Sequence, residues 1–250
     1  MNNGQLSNSN GAAGSLASTT AGAGPAPQRA LFQTGRPVLA RPGADRYDAL
    51  LWRLCACRED ADNVGFLLGL TGCSRRSGVS TLAANLAIRA ADQGLGPVLL
   101  VDANLRHPTL HRVMRSGGRA GLVELMAGQT TLAECIQPTP ILGLDFLPLG
   151  AVGRQTNVRI DPQQIDPIVA QFRERYSLVI CDLPEARELG HTLLLACALD
   201  AAVLVLRAER VARRSAQQTV LRLAEDGVHV LGAVVTDQHR YLPGWLETLL

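Results

Sequence analysis

No lysine occurs among the 250 residues; all 24 basic side chains are arginine. Any phosphate bound here must be met by guanidinium groups and backbone N–H groups, without the compact ammonium that many phosphate sites use. Aromatic residues make up only 4% of the chain, so leucine, valine and alanine must fill the sizeable core that 47% hydrophobic content implies. No apolar run reaches the roughly 20 residues of a membrane span, and no basic-then-apolar leader follows Met1. The chain reads as soluble, with any membrane association made through a partner. Charge of one sign is not in excess either. The formal net charge of +2 is too small to name nucleic acid or an acidic membrane surface as the main partner. Close cysteine pairs are also scarce. Of six scattered cysteines, only Cys55 and Cys57 lie near each other, at a spacing that fits neither a zinc nor a redox motif. Without a disulfide framework, a reduced, cytoplasmic protein is expected.

What is present falls into two parts. Residues 1–44 are mostly Gly, Ala, Ser, Asn, Thr and Pro. Such a stretch cannot bury enough surface to offset the entropy of ordering, and a disordered tail is expected there. Residues 45–250 read as one folded domain. Tyr47, Leu50, Leu51 and Leu54 recur at helical spacing ahead of the first strand. Strands are expected over 65–70, 98–102, 144–147, 178–181, 202–206 and 228–235. Helices are expected over 80–93, 122–126, 132–136, 166–176, 191–198 and 212–226. Near-continuous apolar strands alternating with amphipathic helices give an α/β fold, a mostly parallel sheet flanked by helices on both faces. Ligands bind such sheets at the carboxyl ends of the strands, where the motifs fall.

The first motif is a strand–loop–helix. An apolar run from Phe66 to Leu70 feeds a short loop, and Gly78, Ser80 and Thr81 open a helix. This is the pattern of a P-loop, in which backbone N–H groups and a helix N-terminus converge on phosphate. Val79 stands where the loop lysine belongs. The candidate nucleotide-binding residues are Ser74, Arg75, Arg76, Ser77, Gly78, Val79, Ser80 and Thr81, with Ser80 as the magnesium hydroxyl. Arg75 and Arg76 either bring positive charge to the phosphates from another direction or are solvated loop residues. The second motif is an apolar strand ending in Asp102, followed by Asn104 and Arg106. A strand-end carboxylate suits magnesium or an attacking nucleophile, whereas Asn104 cannot act as a base. A turn or N-cap aspartate is the plainer reading of Asp102 alone. The third motif is a second apolar strand ending in Asp182, in the manner of a Walker B aspartate. Asp102 and Asp182 are the catalytic candidates, and Ser80, Asp102 and Asp182 the magnesium ligands.

In this order the three motifs resemble the bacterial tyrosine kinases of capsule and exopolysaccharide synthesis, the BY-kinases. These are cytoplasmic P-loop ATPases of the deviant Walker A class, allied to division-site and plasmid-partition ATPases. The similarity runs from about Tyr47 to Tyr241. It includes the GL-x-x-x-L-x-G-like segment from Gly121 to Gly128, the hairpin-like stretch from Leu144 to Gly150, and the late strands at 199–208 and 228–235. The resemblance implies binding of ATP or ADP with magnesium and a membrane polysaccharide co-polymerase, or chain-length-determinant protein, as partner. Self-association is implied as well; nucleic acid is not.

The departures bear on chemistry. The family's P-G-x-G-K-S/T becomes Arg75-Arg76-Ser77-Gly78-Val79-Ser80, and its D-x-D becomes Asp102-Ala103-Asn104. Thr236-Asp237 stands where the family carries an asparagine near the base. Asp45 and Asp48 precede Leu51 in place of the Glu/Arg/Arg assembly pattern. Only Tyr241 lies near the end, where the family has a tyrosine cluster. Losing the lysine and the second aspartate removes charge stabilisation and proton removal from phosphoryl transfer. The expectation is a catalytically impaired kinase-like protein with weak residual nucleotide binding, serving a polysaccharide assembly system. One alternative is an active kinase using Arg75 or Arg76 in place of lysine. Another is a positioning-type ATPase relative, whose nearest basic patch would be Arg207, Arg210, Arg213 and Arg214.

Overall fold

The computed structural model describes residues 44–56, 65–116, 120–150, 160–208 and 210–237. The tail expected over 1–44 lies outside these residues apart from Ala44, as do Cys57, Tyr241 and the apolar C-terminal residues.

Seven strands form one sheet: β1 (Phe66–Gly72), β2 (Val98–Asp102), β3 (Gln137–Pro138), β4 (Leu144–Leu147), β5 (Leu178–Asp182), β6 (Ala201–Arg207) and β7 (Val230–Thr236). Their order is β3-β4-β2-β5-β1-β6-β7, and every pairing is parallel except β3 with β4. The helices are α1 (Ala44–Ala56), α2 (Val79–Asp92), α3 (Leu110–Val113), α4 (Leu122–Met126), α5 (Leu132–Cys135), α6 (Ile165–Arg175), α7 (Leu193–Ala198) and α8 (Arg213–Glu225).

Alternation along each strand divides the apolar side chains between two cores. Leu67, Leu99, Val101, Val179 and Ala202 face one side, with side chains of α4 to α8. Leu68, Leu70, Val98, Leu100 and Ile180 face the other, with α1 and α2. Both faces are therefore covered, which is why the central strands carry almost no polar residue.

The expected elements are present with small shifts at their ends. Two differ in kind. The helix expected over 191–198 begins as a 3-10 turn (Gly190–Thr192) and becomes α-helical only at Leu193. The two-residue edge strand β3, which contains Pro138, is too short to show as a period-two pattern.

The topology fixes where a ligand can sit. From β1 the chain crosses over β5 to reach β2, whereas from β5 it crosses over β1 to reach β6. Adjacent strands β1 and β5 thus send their connections in opposite directions. The crevice outside the carboxyl ends at such a reversal is the natural site of an open α/β sheet.

Candidate functional site

The crevice holds a cleft of about 340 Å³. All eight loop residues from Ser74 to Thr81 line it, facing Asn104, Arg106, His107, Glu185 and Glu188. The loop turns sharply. Arg76 has φ 59° and Gly78 has φ 86°, both in the left-handed region. Glycine takes that conformation freely, whereas arginine does so at a cost, so the backbone that a family glycine would adopt persists at Arg76 without the glycine. Gly78 caps α2, whose first N–H groups open into the cleft. Arg75, Arg76 and Arg106 are exposed, as an arginine poised for a ligand or a solvated one would be.

Val79 turns away from this role. Its side chain packs with the α1–α2 core, and its Cγ2 lies only 3.1 Å from where a Cβ on Gly72 would stand. The glycine at the end of β1 is what lets the loop fold so close over the strand. An apolar branch thus fills the base of the loop at the position where the family carries a cation.

Two carboxylates lie buried next to the cleft-lining residues Ser80 and Leu183. Asp102 and Asp182 end neighbouring strands β2 and β5 and are direct register partners. Both are fully buried. Asp102 Oδ1 accepts the Asn104 N–H at 3.2 Å, but Asp102 Oδ2 and both oxygens of Asp182 have no hydrogen-bond partner. Burial pushes the Asp102 carboxyl up to about 7. It pushes Asp182 up to about 8, helped by the charge of Asp102 and opposed by the nearby Ser80 hydroxyl. Buried acceptors left unpaired are costly and mark a place for a cation. Among the described residues no group of three His, Cys, Asp or Glu side chains is placed to hold a metal. A cation here would be held by two carboxylates and a hydroxyl, a hard oxygen set that suits magnesium.

Asn104 does not supply a third carboxylate. Its Oδ1 accepts the His107 N–H at 2.9 Å and closes the turn after β2. Across the cleft Glu185 is raised, by burial and by Glu188, and held back by Arg75, His107 and Arg187. Glu185 and Glu188 escaped the sequence reading because neither belongs to a motif. Their one signal was position, three and six residues past the β5 aspartate. The resemblance set Thr236-Asp237 near the base, but no motif pointed to its contact with the loop: the Thr236 hydroxyl donates to the Ser77 carbonyl at 2.7 Å.

No family model matches the chain. Among curated proteins, EpsB of Ralstonia solanacearum, provisionally named a tyrosine-protein kinase, is 29% identical over 221 residues, 87% of this chain. The tyrosine-protein kinase Wzc of Salmonella typhi is 25% identical over 181 residues, and YwqD of Bacillus subtilis, also a tyrosine-protein kinase, 27% over 166. The chain is similar in sequence to bacterial tyrosine-protein kinases. It spans 29% of the length of EpsB and 25% of Wzc, but 70% of YwqD. Solved structures share the fold of these kinases. The chimerical protein CapA2B2 matches with a TM-score of 0.70 at 22% identity, covering 80% of this chain and 87% of that one. The kinase domain of the Escherichia coli tyrosine kinase ETK matches at 0.64 and 22% identity, covering 80% and 79%. The septum site-determining protein MinD of Pyrococcus horikoshii, solved with Mg-ADP, matches at 0.60 and 22% identity, covering 73% and 75%. The P-loop nucleotide-hydrolase fold expected from the motifs is therefore the observed one. In this chain the strand-end aspartates come together beside Ser80 of the loop, and the loop carries Val79 where the P-loop pattern has lysine.

Proposed function

We propose that this chain is a kinase-like protein of exopolysaccharide or capsule assembly that binds ATP or ADP with magnesium but transfers phosphate poorly. It acts as a regulatory partner of a membrane polysaccharide co-polymerase or chain-length-determinant protein. Among the described residues no helix is long and apolar enough to cross a membrane. In this reading, membrane association is through that partner. The observation that carries this reading is the contrast inside one cleft. The buried Asp102–Asp182 pair beside Ser80, with three of its four carboxylate oxygens unpaired, is intact, whereas Val79 packs into the base of the loop and Asn104 is spent on a turn.

Phosphoryl transfer is catalysed mainly by positioning and by charge stabilisation of the transferring group. The strand-end carboxylates and Ser80 would hold magnesium, which would supply positive charge to the phosphates. The α2 N-terminus would hold phosphate. Neither requires lysine, but stabilising the transition state and removing the proton of an attacking hydroxyl do require groups that 79 and 104 no longer supply.

A second reading, an active kinase, is favoured by the presence of Arg75 and Arg76 in the cleft wall. Turnover separates the two. Under saturating Mg-ATP the wild-type chain should release phosphate and label tyrosine at background rate. The double variant Val79→Lys/Asn104→Asp should raise the rate at least a hundredfold. Wild-type turnover abolished by Arg75→Ala or Arg76→Ala would instead establish the arginine-dependent kinase.

A further inference from the structure

We propose that Thr236 is a positioning residue of the phosphate loop, holding the loop in its phosphate-accepting shape through the Ser77 carbonyl. Its effect on ligand rests on the nucleotide-binding reading above; its effect on the loop does not.

Thr236 ends β7, the edge strand, and meets Ser77 across 159 residues of chain. Its Oγ1 lies 2.7 Å from the Ser77 carbonyl oxygen and 3.2 Å from that of Leu206. A hydroxyl has one proton to give, and the shorter contact takes it. The Ser77 hydroxyl, in turn, donates to the Ser74 carbonyl. Ser77 is therefore fixed from both sides, inward through its side chain and outward through its backbone. The next residue is Gly78, where the chain turns at φ 86° into α2. Thr236 covers this turn as well. Its Oγ1 and methyl lie 3.7 and 3.8 Å from where a Cβ on Gly78 would stand.

Thr236 is itself held. Its carbonyl accepts the Ala208 N–H at 2.9 Å, and the neighbouring Asp237 pairs with Arg207 at 2.6 Å. A support that is pinned by its own partners can impose geometry on what it touches. The loop needs such a support. Two of its residues sit at positive φ, one of them an arginine, and strained backbone persists only where its surroundings over-determine it. With no lysine to bridge loop and phosphate, the shape must be set before the ligand arrives, because ordering it on binding would subtract from affinity.

The test uses the full chain with Mg-ADP as probe, comparing wild type with Thr236→Val and Thr236→Ser. Valine keeps the branched shape and removes the hydroxyl; serine keeps the hydroxyl and removes the methyl. Hydrogen exchange of amides 74–80 in the nucleotide-free protein should quicken about tenfold in Thr236→Val, while core amides of α2 and β1 hold their rates. Calorimetric affinity for Mg-ADP should weaken about fivefold to tenfold, the scale of one hydrogen bond. Thr236→Ser should recover both. Unchanged loop exchange in Thr236→Val overturns the positioning role, whatever nucleotide does. Faster exchange throughout the fold also overturns it, since the role would then be stability alone. Absence of Mg-ADP binding by the wild type refutes the nucleotide reading, and the exchange comparison still decides the contact.

Discussion

At the scale of single residues, the loop shows how a backbone can outlast the side chains that suit it. Arg76 keeps the left-handed conformation of a glycine position at φ 59°. Arg76→Gly should therefore stabilise the protein by about 0.5–1 kcal/mol, the relief of strain being partly offset by glycine's greater freedom in the unfolded chain. Urea denaturation measures this; a lowered midpoint would show that the Arg76 side chain makes contacts worth more than the strain. Val79 is a different case. Its burial against the α1–α2 core makes it a small apolar anchor, and Val79→Lys exchanges that packing for a charge at the phosphates. The single variant should bind Mg-ATP about tenfold more tightly than wild type, read by calorimetry. Equal affinity would mean that the arginines already do the work of the missing cation.

At the scale of elements, packing decides what motifs cannot. Asp200, just before β6, accepts the Leu67 N–H at 2.8 Å and binds Arg173 of α6 through both its oxygens. Arg173 also donates to the Gly65 carbonyl at 3.1 Å, so one partly buried network ties β1, α6 and the start of β6 at the end opposite the cleft. Asp200→Ala should cost about 2 kcal/mol in urea unfolding, because an arginine and a backbone N–H lose their partner. A cost near zero would mark the pair as a solvated one.

The strands and helices were legible in the chain because apolar runs and helical periods are local. Asp102 and Asp182 were legible as strand ends for the same reason. Their pairing was not, since it depends on the register of strands 80 residues apart in number and on β5 inserting between β1 and β2. Glu185 reaches the cleft and Thr236 the loop carbonyl of Ser77 through the same long-range order, which no spacing rule reads. The 3-10 start of α7 and the two-residue β3 were hidden because Gly190 and Pro138 belong to segments too short for any period. The substitution pattern around Asp48 proved structural in a way its neighbours did not suggest. Asp48 on α1 pairs with Arg89 on α2 at 2.6 Å, which lowers the Asp48 carboxyl and joins the two helices.

At the scale of the whole molecule, the buried aspartate pair couples folding to pH and to magnesium. In the unfolded chain both carboxyls lose their protons near the ordinary value of 3.8; in the folded protein they keep them to about 7 and about 8. The folded state thus binds more protons between these limits. Its stability from this pair is complete below about pH 4 and is lost as pH rises through about 8. Thermal melting should therefore fall from pH 5 to pH 8.5, and Asp182→Asn should flatten that slope. Magnesium favours the charged carboxylates, so its stabilising effect should grow with pH over the same range. A slope unchanged by Asp182→Asn would mean that the pair is already ionised in the folded protein.

Whether a nucleotide site is retained while its chemistry is impaired is decided by calorimetric titration of the full chain with Mg-ADP and Mg-ATP. Magnesium-dependent binding in the micromolar range, weakened in Asp182→Ala, with no ATP consumed over the titration, is expected. No heat at millimolar nucleotide would contradict it and leave a purely structural partner built on a P-loop fold.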